Sequence, residues 1–199
     1  VFNLSYMITF GGFIGLANYL PTYFHDNFGV TKVQAAQLTI LAALMGAGLR
    51  AFGGYMSDRW GGITTLRGTF IGIIALMLIQ SIGFSLLVTT ILFMLCFACF
   101  GIGNGATFQL VPLRWPITTA VAGSMIGEIG ALGGAFLPNA VGLSKRFAGT
   151  PSYGFISFAL FAFVMLIVLS VAQSRWTKSW VGKGGKALRI DEVKEYYAK

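Results

Sequence analysis

Residues 46–62, GAGLRAFGGYMSDRWGG, place an arginine inside an apolar segment that ends in a charged pair. Arg50 precedes Asp58 by eight residues, which is about 12 Å of helix at 1.5 Å per residue. The residues that share its helical face are all small: Gly46, Ala47, Gly53 and Gly54. The role of Arg50 therefore depends on whether this segment crosses a membrane and on whether a ligand or a neighbouring helix occupies the space beside these small residues.

The composition indicates a polytopic membrane protein. Of 199 residues, 56% are hydrophobic and 10% are charged, whereas soluble domains carry about 25% charged residues. The formal net charge is +8, but the basic residues lie between apolar runs and in the tail. Because they form no continuous basic face, nucleic acid is excluded as a partner and the lipid bilayer is expected instead.

Six apolar runs are long enough to cross a bilayer, which takes about 20 residues. We predict an all-α membrane protein with six transmembrane helices in residues 1–174 and a basic tail in residues 175–199. The prolines fall near the predicted ends of the runs, and the weakest boundary is near Ser85. Six helices divide as three plus three, which is the inverted-repeat unit of many transporters. The predicted spans are residues 2–24, 34–56, 66–84, 86–110, 117–143 and 153–174.

The basic residues also predict the orientation of the bundle. One side collects most of them, including Arg59, Arg67, Arg114 and those of the tail, whereas the other has Lys32, Lys145 and Arg146. By the positive-inside rule the first side is cytoplasmic. We therefore expect a multi-pass protein of the cell inner (plasma) membrane with a cytoplasmic C-terminus.

Two ionisable residues lie well inside the predicted spans, Arg50 in the second and Glu128 in the fifth. Each costs at least ~2.5–3.5 kcal/mol at a helix centre, so each is a candidate functional residue. The small neighbours of Arg50 favour contact with a ligand over snorkelling to the interface. For Glu128 two interpretations stay open, a structural partner for a buried cation and a site of protonation.

Other polar features are weaker. Asn104, in the fourth span, is a buried polar candidate for ligand binding. The C-x-x-C of Cys96 and Cys99 lies in an apolar helix with nothing to activate a thiolate, so packing is expected. No metal cluster, catalytic triad or phosphate loop is found in the sequence, and we predict neither an enzyme nor a cofactor.

Four stretches carry a resemblance to a known family. GGYMSDRWGG (residues 53–62) resembles the G-x-x-x-D-R-x-G-G loop motif of the major facilitator superfamily. YMITFGGFIG (6–15), GIGNGATFQLVP (101–112) and IGALGGAFLPNAVG (129–142) resemble the nitrate/nitrite porter family within it. The resemblance extends over nearly the whole chain up to the tail. It implies the C-terminal half of such a porter, helices seven to twelve.

The resemblance implies a set of functional residues. In that family each half supplies one arginine to an anion site between the halves, and Arg50 matches the C-terminal one. Tyr6 and Phe10 match aromatic positions that flank the anion. Asp58 and Arg59 lie where the halves meet, which suggests a conformational gate. The signature glycines of the penultimate helix are Gly127, Gly130, Gly133 and Gly134.

The function implied is transport of nitrate and/or nitrite by alternating access, by symport or antiport. A second six-helix half, N-terminal to this one and on the same or a separate chain, would complete the porter. Glu128 departs from the family pattern, because a small neutral residue is expected there. Its charge leaves the coupling mode and the substrate open. Two alternatives to a nitrate/nitrite porter remain: a porter of another small or organic anion, and a truncated half that does not transport.

Overall fold

A computed structural model describes residues 1–179, with side chains up to Trp176, so the predicted tail beyond Ser179 lies outside the described residues. The regular structure of this part of the chain is all helical, with short loops between helices and no strand. Its elements are α1 (Phe2–Tyr6), a π-helical segment (Met7–Gly11), α2 (Gly12–Phe28), α3 (Lys32–Trp60), α4 (Gly62–Gln80), α5 (Leu86–Arg114), α6 (Thr119–Leu132), a 3-10 turn (Gly133–Ala135), α7 (Phe136–Ala148) and α8 (Ser152–Ser179).

Five helical segments are long and apolar enough to cross a membrane. They are α3, α4, α5, the run Thr119–Ala148 and the stretch Ser152–Trp176. The first predicted span is helical too, but its π-helical segment divides it into α1 and α2. The fold is therefore that of an all-α, multi-pass membrane protein.

The ends of the predicted spans need correction. The predicted third span, residues 66–84, extends beyond its helix, because α4 ends at Gln80 and α5 begins only at Leu86. Gly83 turns the chain between them at a φ of 85°. The expectation that the prolines lie near helix ends is wrong for Pro21, which lies inside α2, well before its end at Phe28. Pro112 also lies inside a helix but close to the end of α5 at Arg114. Interior prolines are tolerated in membrane helices, because neighbouring groups satisfy the freed carbonyls.

The glycines of the loop motif explain its geometry. Gly61 alone connects α3 to α4, at φ 98° and ψ 134°, a backbone region that residues with a Cβ rarely adopt. The next residue, Gly62, lies against α5, where a Cβ would approach the Leu110 side chain to 2.6 Å. The motif thus allows α3 and α4 to form a tight hairpin packed on α5.

Helices α3 and α5 contact each other through their backbones. A Cβ on Gly46 would lie 2.5 Å from the Phe97 carbonyl oxygen, and Gly53 lies against the backbone of Ile102. From the other side, Gly105 of α5 lies against the carbonyl of Arg50. Small residues permit this approach, and in lipid such close packing is a main source of helix association. It fixes the position of Arg50 relative to α5.

The two irregular segments meet inside the bundle. A Cβ on Gly11 in the π-helical segment would lie 2.6 Å from the Cα of Gly133 in the 3-10 turn. Pro138 has no N–H for the Gly134 carbonyl four residues earlier, and that oxygen would lie 2.6 Å from a Cβ on Gly15. The breaks in the first and fifth spans therefore occur at one level and pack against each other.

The α3–α5 contact predicts the effect of one methyl group. Gly53→Ala should lower the thermal stability of the protein in detergent, because overpacking typically costs about 1–3 kcal/mol. Gly48→Ala is the matched control on the same helix, since a Cβ there meets no atom within 4 Å. It should leave the melting temperature unchanged or raise it. Equal melting temperatures for the two variants would contradict backbone contact at Gly53.

Candidate functional site

The guanidinium of Arg50 contacts a group of aromatic side chains. Its Nη2 donates a hydrogen bond of 3.2 Å to the hydroxyl of Tyr6, and its Cζ lies 5.4 Å from the centre of the Phe108 ring. The Tyr6 ring stacks on Phe10 with centres 4.8 Å apart and meets Phe108 edge-on at 5.2 Å. We call Arg50, Tyr6, Phe10 and Phe108 the arginine cluster. It joins α3, the first span and α5.

The cluster combines a fixed aromatic wall with an accessible cation. Tyr6 is buried, with 1% of its surface exposed, whereas Arg50 is exposed on the face of α3. Among the described residues, Tyr6 is the hydrogen-bond partner of Arg50. An arginine has five N–H donors, so most of them remain available to a ligand. The guanidinium is held against the bundle instead of extending along α3 towards Asp58.

Asn104 lies next to the cluster on α5, between two residues that face the first span. One turn before it Phe100 touches Gly12, and one turn after it Phe108 touches Tyr6. Its side chain is 3% exposed, and its Oδ1 has no hydrogen-bond partner within the described part of the chain. A buried amide oxygen without a hydrogen-bond partner is costly. It is thus a polar group placed opposite the π-helical segment with capacity to bind.

Three of the four signature glycines pack against the first span. Gly130 lies against the Tyr6 ring, and a Cβ on Gly133 would lie 2.5 Å from the Met7 carbonyl oxygen. A Cβ on Gly134 would lie 3.0 Å from the side chain of Ile14. The fourth, Gly127, packs differently: a Cβ on it would meet no atom within 4 Å. The signature thus lets the fifth span approach the first closely enough to support Tyr6.

The remaining predicted residues lie apart from the arginine cluster. Asp58 and Arg59 are exposed in the last turn of α3, and Arg59 donates a 3.5 Å hydrogen bond to the hydroxyl of Tyr55. Glu128 is exposed on α6 and forms no ion pair with Arg50. Within the described residues, the ion pair within 4.0 Å joins Lys145 and Asp26, at 3.1 Å.

Sequence reasoning missed Phe108, although it contacts both the cation and Tyr6. It follows Asn104 by four residues and so lies on the same face of α5. It belongs to the stretch GIGNGATFQLVP, which resembles the nitrate/nitrite porter family. The four-residue spacing from Asn104 could have indicated the role of Phe108, because an aromatic residue one turn from a buried amide faces the same neighbouring helix.

Comparison with known proteins agrees with this architecture. The model of the Major Facilitator Superfamily matches residues 2–136. A probable nitrate/nitrite antiporter of Thermus thermophilus is 32% identical over 83% of this chain and 42% of its own length. A probable nitrate transporter of Staphylococcus epidermidis is 29% identical over 94% of the chain and 46% of its own length. A nitrite extrusion protein of Bacillus subtilis is 30% identical over 83% and 42%, respectively.

The chain spans less than half the length of these curated relatives. The family match covers more than half of the chain and includes the α3–α4 hairpin, the arginine cluster and all four signature glycines. The chain therefore belongs to the major facilitator superfamily, and nitrate and nitrite transporters are among its relatives.

Proposed function

We propose that this chain is one six-helix half of a porter that transports nitrate and/or nitrite by alternating access, with the anion held by Arg50. The observation that supports this most directly is the arginine cluster. A permanently charged side chain lies within an apolar helix, one of its donors bonds to Tyr6, and the group remains exposed. Intramembrane cations in such positions mark substrate pathways.

The chemistry of the cluster suits a small oxyanion. A guanidinium presents parallel N–H donors that match two oxygens of a planar or bent anion. The ring of Phe108 lies against the guanidinium, Phe10 stacks on Tyr6, and Asn104 offers a further polar group on α5. The names of the relatives point to nitrate and nitrite as the anions of this shape.

The described helices support the proposed architecture. The segment Phe2–Phe28 is helical from end to end and would supply a sixth crossing beside the five candidate spans. In the three-plus-three repeat, α3 and the α6–α7 run would then be equivalent helices. Arg59, Arg67 and Arg114 lie at one end of their helices, which we assign to the cytoplasm. This assignment places the C-terminus there as well.

A second six-helix half would complete the site. The chain spans 42–46% of its relatives, so a complete porter has room for another unit of this size. Arg50 is exposed on the surface that this half offers, which fits an anion bound between two halves. Asp58 and Arg59 are exposed on the same helix. We place them at a gate that forms when the halves close on the cytoplasmic side.

Arg50→Lys should impair transport by about tenfold or more. Lysine keeps the charge but loses the parallel donors, and hydrogen bonds between charged partners contribute about 1.5–3 kcal/mol. The measurement is nitrate and nitrite uptake by the full-length porter in proteoliposomes. The control is Arg67→Lys, because Arg67 bonds to Gln173 at the protein surface, away from the cluster. A correctly inserted Arg50→Lys variant with wild-type uptake would rule out the guanidinium fork.

Tyr6→Phe should weaken anion binding while preserving the aromatic contacts. It removes the hydroxyl that orients the guanidinium, a loss of about 1 kcal/mol or roughly fivefold in affinity. Anion-dependent stabilisation against thermal unfolding reports the affinity. Tyr19→Phe is the matched control in the same span, since the Tyr19 hydroxyl has no hydrogen-bond partner in the described part of the chain. If the two variants bind nitrate equally, Tyr6 does not position Arg50.

Asp58→Asn should change the balance between inward- and outward-open states without removing the anion site. The reason is that Asp58 is exposed at the end of α3, where rocking of the halves would make and break its contacts. Labelling of single cysteines on each face by a membrane-impermeant reagent measures the balance. Asp26→Asn serves as the control, because Asp26 pairs with Lys145 inside this half. Unchanged labelling on both faces would count against a gate at Asp58.

A further inference from the structure

Glu128 lies at the depth of the arginine cluster but on another face of its helix. A Cβ on Gly123 would lie 3.4 Å from the Phe108 ring, and Gly130 lies against Tyr6. The segment between these two glycines is therefore level with the arginine cluster. Ile126 and Gly130 are the buried residues of α6. Glu128 is two residues from each, about 200° around the helix, and so points away from the first span.

The side chain of Glu128 has no partner in the described half. It is exposed, and no hydrogen bond or ion pair within that part of the chain involves it. A carboxylate inside an apolar helix requires a partner or a proton. Because Arg50 is held by Tyr6 on a different side of α6, a partner other than a proton must come from outside the described residues.

One side of the exposed surface around Glu128 differs from the exposed surface of α8 in the size of its side chains. Exposed positions on α8 carry large aliphatic side chains, Leu160, Val164, Ile167 and Val171. The face of α6 and α7 around Glu128 carries small side chains on one side and large ones on the other. The small ones are Ala120, Ser124, Ala131 and Ala135, and the large ones are Val121, Met125, Leu132 and Phe136. Small residues allow a neighbouring helix to approach closely, whereas lipid requires no such clearing.

The helix that carries Arg50 shows the same pattern. Ala47, Gly48 and Ala51 are exposed beside Arg50 on α3. In the most apolar stretch of each candidate span, 22% of the residues are buried in α3 and 28% in α6–α7. The fractions are 44% in α4, 50% in α5 and 39% in α8. The two helices that carry intramembrane charges are thus those that this half buries least.

We propose that Glu128 pairs with a basic side chain of the second six-helix half, across a close contact made by the small-residue face of α6 and α7. This inference rests on the proposed function, which supplies the second half as the occupant of that face. Charge complementarity decides the partner's chemistry, because Glu128 is the charged residue of this face at the level of the arginine cluster. The described cations of α7, Lys145 and Arg146, lie in its last turn, about 27 Å along the helix. Glu128 is therefore an anchor between halves, separate from the anion that Arg50 holds.

The test is a double-mutant cycle in the full-length porter. Glu128→Gln should lower the melting temperature by roughly 5 °C or more, because it leaves a buried cation without its partner. Ser124→Ala, one turn earlier on the same face, should change it little. Each intramembrane Lys or Arg of the second half is then replaced by Gln, with and without Glu128→Gln. One of these replacements should add no further loss to that of Glu128→Gln.

Several outcomes would overturn the pairing. They are a wild-type melting temperature for Glu128→Gln, additive losses with every basic residue of the second half, and loss of proton-driven uptake with stability intact. The last would make Glu128 a proton site. Should Glu128→Gln fail to fold, Glu128→Cys in a Cys96→Ala/Cys99→Ala background replaces it. It should form a disulfide with a cysteine at the partner position, and no crosslink at any candidate position would reject the anchor.

These measurements are independent of the anion site. The melting temperatures require no substrate, so they report on Glu128 even where Arg50→Lys shows that nitrate transport has been wrongly assigned. Conversely, loss of uptake in Arg50→Lys with no coupling at Glu128 would leave the anion site in place and remove only the anchor.

Discussion

The contact between the Arg50 guanidinium and the Tyr6 hydroxyl constrains much of this half. A charge within an apolar helix must be held by polar or aromatic groups, and these come here from the first span and from α5. They reach Arg50 because α3 approaches α5 at Gly53 and Gly105 closely enough for backbone contact. The glycines that cost helix propensity are therefore those that bring the cation and its aromatic wall together.

The glycine signature supports the same contact from the opposite side. Gly130 and Gly133 let the fifth span lie directly on Tyr6 and Met7, at the level where both helices depart from α-helical geometry. Breaks of this kind are tolerated in a membrane only where neighbouring protein covers the backbone. Each broken segment covers the other here, so the irregular backbone and the position of Tyr6 depend on one packing arrangement.

The sequence predicted the helices, and the residues that meet around Arg50, better than the direction in which individual side chains face. The positions of Arg50, Tyr6 and Phe10 were predicted, and the structure brings them together. The sequence did not predict which way the Glu128 side chain faces, or that Phe108 belongs to the arginine cluster. In a soluble helix the apolar face marks the interior, but in a bilayer both faces are apolar, so that periodicity carries little information. Likewise, the π-helical segment and the 3-10 turn were not predicted, because each is as apolar as the helix around it. Pro138 was the sequence feature that indicated a change of geometry near the 3-10 turn.

The separation of Arg50 from Glu128 bears on how a porter releases its cargo. Were the two side chains paired, an arriving anion would have to displace a carboxylate, and both its affinity and its release would depend on that competition. Arg50 bonds instead to a neutral hydroxyl, which orients the guanidinium without neutralising it. In the proposed porter, the remaining donors would bind an anion through few contacts, strongly enough for capture and weakly enough for release. In the proposed pairing, a carboxylate on the far face of α6 would stabilise the contact between halves while the charge of Arg50 remains available to the anion.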